Sequence, residues 1–157
     1  MRIVVEALLE TELPIIALYP NADAGGERMI GVLDYYSKRI QVHNSLPRSE
    51  FLGLMRDCAM LIGNSSSGLI EAPSFRIPVV NIGPRQSGRE RADNVIDVPC
   101  SAAAIKKAID SVLTGDYSEA VEGAENPYGD GKASGRIVAV LEDLDLDADL
   151  LKKEITY

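Results

Sequence analysis

The chain has 157 residues, with 24 acidic against 16 basic side chains and a formal net charge of −8, a length that matches one domain on the usual prior of about 150 residues. Its 46% apolar and 25% charged residues, with 13 Gly and 8 Pro, are those of a folded domain and exclude disorder, collagen and coiled coil. An acidic chain lacks the basic stripe that neutralises phosphate backbones, so neither nucleic acid nor an anionic membrane is expected as a partner, although a local basic pocket can hold one small anion.

No stretch approaches the roughly 20 apolar residues of a membrane-spanning helix, and the first segment, MRIVVEALLETELP, has acids where a signal peptide keeps an apolar run. A cytoplasmic protein is expected. Cys58 and Cys100 lack the CxxC spacing and neighbouring His of a metal or redox site, so both read as ordinary reduced thiols and no metal or cofactor is expected.

In chain order, RIVVEALLET places Ile3, Val4, Ala7 and Leu8 on one face of a helix, and the apolar run IIALY after Pro14 reads as a buried strand. GERMIGVLDYYSKR reads as a helix, IQVHN as a short strand, RSEFLGLMRDC as a helix, and AMLIG as a strand covered on both faces. SSGLIEAPSF is a short helix limited by Pro73, and IPVVNIG is a second continuous apolar strand. After a polar loop from Pro84 to Asn94 come the strand VIDV, Ser101 as an N-cap, and the amphipathic helix AAAIKKAIDSVL. GAENPYGDGKASG reads as a loop and RIVAVLEDL as a closing helix.

Strict alternation of strand and helix implies right-handed βαβ units, a parallel sheet and helices on both faces, an α/β Rossmann-like three-layer fold. Such a sheet normally opens with a strand, whereas this chain opens with a helix, as though the first strand were missing and the chain a fragment. Residues 1–144 form the expected domain. Residues 145–157 form an acidic tail, part of a stretch from Glu142 onward with six acids and two lysines.

In open parallel sheets ligands bind beyond the carboxyl ends of the strands, which directs attention to four exits. After IIALY, Asn21 and Asp23 offer short polar groups before Gly25 and Gly26; the same residues also suit an ordinary helix cap and glycine turn. After IQVHN, the chain's one histidine, His43, reads as structural, and Leu46-Pro47-Arg48 can lie against a flat base. After AMLIG come Ser65, Ser66, Ser67 and Gly68 at a helix start, a donor-rich cradle for a diphosphate, with Glu71 one turn on to accept two vicinal hydroxyls. A serine N-cap followed by a dipole-favoured acid explains one of these hydroxyls but not three. After IPVVNIG, Arg85 brings a guanidinium that can fork onto phosphate, whereas Arg89 and Arg91 read as solvated. Neither GK[ST] nor GxGxxG is present.

The strings PNADAGGERMI, LIGNSSSGLIEAPSFRIPVVNIGPRQSGRE and NPYGDGKASGRI together resemble the C-terminal half of UDP-N-acetylglucosamine 2-epimerases, most closely the hydrolysing type that makes N-acetylmannosamine for sialic-acid-like sugars. The resemblance runs along nearly the whole chain. It implies one half of a glycosyltransferase-B-like architecture, with UDP or UDP-N-acetylglucosamine in the cleft. Carried over by position, Ser65 and Ser66 bind the diphosphate with Ser67 completing the cradle, Glu71 the ribose, Arg85 a phosphate, Asn21 faces the nucleotide, and Arg48 lies near uracil.

The reaction implied is anti elimination of UDP by loss of the sugar C2 proton, giving 2-acetamidoglucal, followed by hydration. In the family the acid–base groups are carboxylates of the N-terminal domain and a histidine that His43 does not match, so no catalytic residue is assigned here. The chain alone is expected to be inactive and to need that catalytic domain as partner. The basic pair that animal members of the family use for feedback control by a CMP-sugar is matched here by Gly31 and Asp34, so that control is not carried over. Two other readings stand beside this one: a free-standing nucleotide-binding or interaction module, and half of a UDP-sugar glycosyltransferase. An open sheet edge also favours a homo-oligomer.

Overall fold

The structure is a computed structural model and describes residues 1–21 and 24–144. Asp23 and the tail 145–157 therefore lie outside the described residues. The chain divides into two units, Met1–Pro127 and a second that begins at Tyr128.

The first unit runs α1 (Arg2–Leu9), β1 (Ile16–Leu18), α2 (Gly26–Tyr36), β2 (Gln41–His43), α3 (Arg48–Asp57), β3 (Leu61–Gly63), α4 (Ser67–Ile70), α5 (Ala72–Phe75), β4 (Val79–Ile82), β5 (Val95–Val98), α6 (Ala102–Leu113) and α7 (Ser118–Glu122). All strand pairs are parallel, and helices cover both faces, as the alternation implies. The expected single sheet is instead two, β1-β2 and β3-β4-β5.

β4 is the centre of the packing, because the VVNI run is buried along its whole length. Its Val80 and Ile82 meet Ala7 of α1 and Ile105, Ala108 and Ile109 of α6 on one face. On the other face Val79 packs with Met55 of α3, Ala72 of α5 and Ile77. A third cluster joins Val5 of α1 to Leu33 and Tyr36 of α2 and to Ile40, with Ala17, Tyr19 and Val42 packed against it. Helix α1 thus serves both sheets. For that reason Val5, absent from the expected apolar face, is buried, whereas Ile3 is exposed.

Other expectations change in detail. The runs IIALY and AMLIG are not buried like β4: Ile16 is 43% exposed and all of β3 is half-buried, because each strand is an edge of its own short sheet. Pro73 does not limit a helix but begins one. The segment is two single turns that meet at Glu71, because a proline ring fits the first turn and lacks only an N–H that would be unpaired there. Ser101 occupies the N-cap position of α6 without a side-chain bond to its first turn. The five-residue α7 lacks a periodic signal long enough to read. No described helix is long and apolar enough to cross a membrane.

In the second unit α8 (Ala133–Glu142) begins three residues before the expected RIVAVLEDL. Asp130 accepts the Lys132 N–H at 3.0 Å and pairs with Arg136 at 2.6 Å. These contacts hold its carboxyl below the usual carboxylate range, the backbone bond more than the arginine.

Ile105 is fully buried where α6 meets β4 and α1. Truncation to Ile105→Ala should cost about 2–5 kcal/mol through lost transfer energy plus a cavity, measured as a lower urea midpoint with unchanged slope.

Candidate functional site

The exit of β3 is built around one carbonyl. Asn64 O accepts the Gln86 Nε2–H at 2.7 Å and the Arg85 Nη1–H at 3.0 Å. Pro84–Gln86 form a single 3₁₀ turn after β4, entered through Gly83 at φ 77°. That turn puts Arg85 on the exposed side and Gln86, only 2% exposed, on the inner side. The guanidinium therefore stands at the mouth of the serine segment, as two adjacent strand exits require.

Within that segment Ser65 Oγ accepts the Ser67 N–H at 3.3 Å, and Ser66 O accepts the N–H groups of Leu69 and Ile70 at 2.9 Å. Glu71 follows by one turn, its N–H on Ser67 O at 3.0 Å. Its Oε1 lies 3.1 Å from Arg48 Nη1, across from the start of α3. Arg48 is 71% exposed at its side chain and Glu71 22%, so the pair is wet and worth about 0–1 kcal/mol, weak enough to open for a competing hydroxyl pair.

Gly68 has a different role from the one its place in the cradle suggests. A Cβ there would come within 2.8 Å of Val79 Cγ1 and 3.4 Å of Leu61 Cδ2, so the missing side chain lets α4 lie on β3 and β4. Near β1, Gly25 is left-handed at φ 89°, and a Cβ on Gly26 would meet Asn21 O at 2.9 Å. Both glycines fold the β1 exit tightly onto α2 and leave Asn21 exposed. Asn21 belongs to the β1-β2 sheet, whereas the serines, Glu71 and Arg85 belong to the other.

Sequence reasoning missed the polar support of this edge. Arg91, expected as solvated, pairs with Asp97 and donates from Nη2 to Gln86 O at 2.9 Å. Asp97 also accepts from Asn81 Nδ2 at 2.6 Å, and Asn94 Nδ2 donates to Ile77 O at 2.8 Å. The available signal was an Asn set inside the otherwise aliphatic run VVNIG, which has to find a partner when buried. His43 sits at the end of β2, where its carbonyl accepts the Tyr19 N–H. No group of acids, cysteines and histidines among the described residues is arranged to hold a metal. Two surface hollows of about 330 and 280 Å³ lie at the amino-terminal ends of the strands, away from these exits.

An arginine, a serine-rich helix start and a carboxylate near the carboxyl edge of parallel strands are groups that can meet a phosphorylated, hydroxyl-bearing ligand. The sequence pattern of UDP-N-acetylglucosamine 2-epimerase matches residues 1–142. The chain belongs to the UDP-N-acetylglucosamine 2-epimerase family.

It is 40% identical over 160 aligned residues to a hydrolysing UDP-N,N'-diacetylbacillosamine 2-epimerase of Legionella pneumophila, covering 98% of this chain and 40% of that protein. A polysialic acid biosynthesis protein of Escherichia coli is 35% identical over 78% of this chain and 32% of its own length. The chain thus spans two fifths or less of these curated relatives. In fold it is similar to the UDP-GlcNAc 2-epimerase of Neisseria meningitidis solved with UDP-GlcNAc, with a TM-score of 0.68 at 20% identity over 92% of this chain and 41% of that one. The fold is the Rossmann-like one of these glycosyltransferase-B-like enzymes.

The two thiols differ in environment. Both are free; Cys100 is exposed, and Cys58 is half-buried with its Sγ–H on Met55 O at 3.2 Å. Burial is the largest effect on Cys58 and pushes its thiol up, so less thiolate is present at a given pH. With an aromatic disulfide reagent at pH 8, Cys100 should react first and Cys58 slowly. The slow phase should accelerate as pH rises above the ordinary thiol range and vanish in Cys58→Ala.

Proposed function

We propose that this chain is the UDP-binding portion of a hydrolysing UDP-N-acetylhexosamine 2-epimerase, corresponding to the C-terminal half of the family's two-domain architecture. The observation that carries the proposal is the meeting of Arg85 with the Asn64–Ser67 exit, with Glu71 one helical turn beyond. The serine hydroxyls and N–H groups of this exit, together with Arg85, bind the diphosphate. Glu71 takes the ribose hydroxyls, exchanging its bond to Arg48, which moves to the uracil side. Asn21 closes over the nucleotide from the β1 exit. The Legionella relative, named as hydrolysing, supports water as the second reactant, and the E. coli relative supports a sialic-acid-like product route.

Elimination of UDP requires loss of the sugar C2 proton to a base and relief of charge on the departing diphosphate. Arg85 and the cradle supply the second of these, by holding the leaving group in a donor-rich site. The base is supplied by a carboxylate-bearing partner domain, so the chain by itself binds but does not turn over. A proton has to lie within about 3 Å of its base, and none of the cradle residues is free of the diphosphate to serve.

Calorimetric titration with UDP tests this directly. Saturable binding is expected, even if only near a millimolar constant, equivalent to about 4 kcal/mol. Arg85→Ala should weaken it by roughly tenfold or more through loss of a charge-assisted contact, and Glu71→Gln should weaken UDP more than inorganic diphosphate. No UDP should be released from UDP-N-acetylglucosamine by the chain alone. Unchanged affinity in Arg85→Ala, or no saturation, would refute the assignment.

A further inference from the structure

The ladder between β3 and β4 ends with Gly63 opposite Asn81. There both chains turn off the sheet through glycines of positive φ, Gly63 at 148° and Gly83 at 77°, a conformation open to a residue without a Cβ. No backbone hydrogen bond joins residues 64–71 to residues 83–89 among the described residues. The exits that carry the serines and Arg85 are therefore set against each other by side chains. Across the gap Arg85 and Gln86 both reach Asn64 O, at 3.0 and 2.7 Å.

These two donors are not equivalent. Arg85 is exposed, and a phosphate oxygen competes for its N–H groups better than a neutral carbonyl does, because both partners are then charged. Gln86 is buried, so solvent does not compete for its amide. A carbonyl oxygen only accepts, which makes the NH2 end of that amide the end that faces Asn64. From the other side Arg91 Nη2 donates to Gln86 O at 2.9 Å, and its guanidinium pairs with Asp97 of β5. The backbone of Gln86 is thus anchored to one strand while its side chain anchors the exit of another.

We infer that Gln86 is a positioning residue of the diphosphate site: it holds the Asn64 carbonyl, and with it the serine segment, while Arg85 exchanges that carbonyl for a phosphate oxygen. The inference deepens the nucleotide reading and rests on it. Without Gln86, each turn of Arg85 toward a ligand would free the Asn64 carbonyl, and the serine segment would have to be ordered during binding. With Gln86 in place that ordering precedes the ligand. Asn94 shows the same kind of side chain in a different place. Fully buried, it donates from Nδ2 to Ile77 O at 2.8 Å, at the amino-terminal ends of β4 and β5 and opposite the exits. Both amides leave their oxygen buried and unpaired among the described residues. Alike in chemistry and different in place, Gln86 and Asn94 separate positioning of the site from support of the fold.

The test titrates the full chain with UDP, and separately with inorganic diphosphate, followed by amide proton–nitrogen spectra under conditions where each variant is folded. Gln86→Met, which keeps the volume and loses the donor, should weaken both ligands by roughly fivefold or more. In the ligand-free variant the amide signals of Ser65, Ser66 and Ser67 should shift and broaden. Asn94→Leu should lower the urea midpoint yet leave both affinities and those signals unchanged. Combined with Arg85→Ala, Gln86→Met should weaken binding by less than the product of the separate factors, because part of its effect runs through Arg85. If Gln86→Met does not fold, Gln86→Asn, which keeps an amide one methylene short of Asn64, takes its place. Affinity retained in the Gln86 variant, equal weakening by Asn94→Leu, or factors that multiply in full would each overturn the inference. An unsubstituted chain that binds neither ligand refutes the nucleotide reading before any variant is compared, and the inference falls with it.

Discussion

Gln86 is the side chain on which the geometry of the candidate site depends. Buried and donating to the Asn64 carbonyl, it ties the turn after β4 to the exit of β3, and its own carbonyl is held by Arg91. Arg91 in turn reaches Asp97 on β5, and Asp97 reaches Asn81 on β4. Three consecutive parallel strands are thereby cross-linked at their carboxyl ends. A donor removed from a buried, partnered position leaves its acceptor unpaired, so the network holds its members in one arrangement.

This network separates two kinds of cation in an acidic chain. Arg91 spends its donors inside the protein, whereas Arg85, one residue before Gln86, is carried to the exposed rim by the same 3₁₀ turn. Adjacent positions on so tight a turn face different ways, and a phosphate-sized anion can be met locally although the net charge is −8. The wet Arg48–Glu71 pair has the opposite character: partly exposed, weak and easily exchanged.

Much of this was legible in the order of residues. An unbroken aliphatic run such as IPVVNIG identifies a buried strand, and a polar cluster that follows a strand and precedes a helix identifies an exit where parallel sheets bind ligands. Ser65, Ser66, Ser67, Glu71 and Arg85 were singled out that way as candidates, and α6 was read to the residue. IIALY and AMLIG resemble IPVVNIG in composition yet are only half-buried, because burial of a strand depends on what lies beside it in the sheet. Gly68 was read as part of an anion cradle, although its lack of a Cβ is required by Val79 and Leu61, residues brought to it only by folding.

The amino-acid sequence by itself determined the alternation of elements, the identity of the strand exits and the family to which the chain belongs, because periodicity, turn chemistry and motif spacing are local properties of the chain. Tertiary structure alone decided that the strands form two sheets and not one, that α1 packs against both, that Arg91 is structural while Arg85 stands at the rim, and that Glu71 meets Arg48. These are pairings between residues far apart in the chain, and local propensity carries no record of which distant partner a side chain or a strand edge will meet.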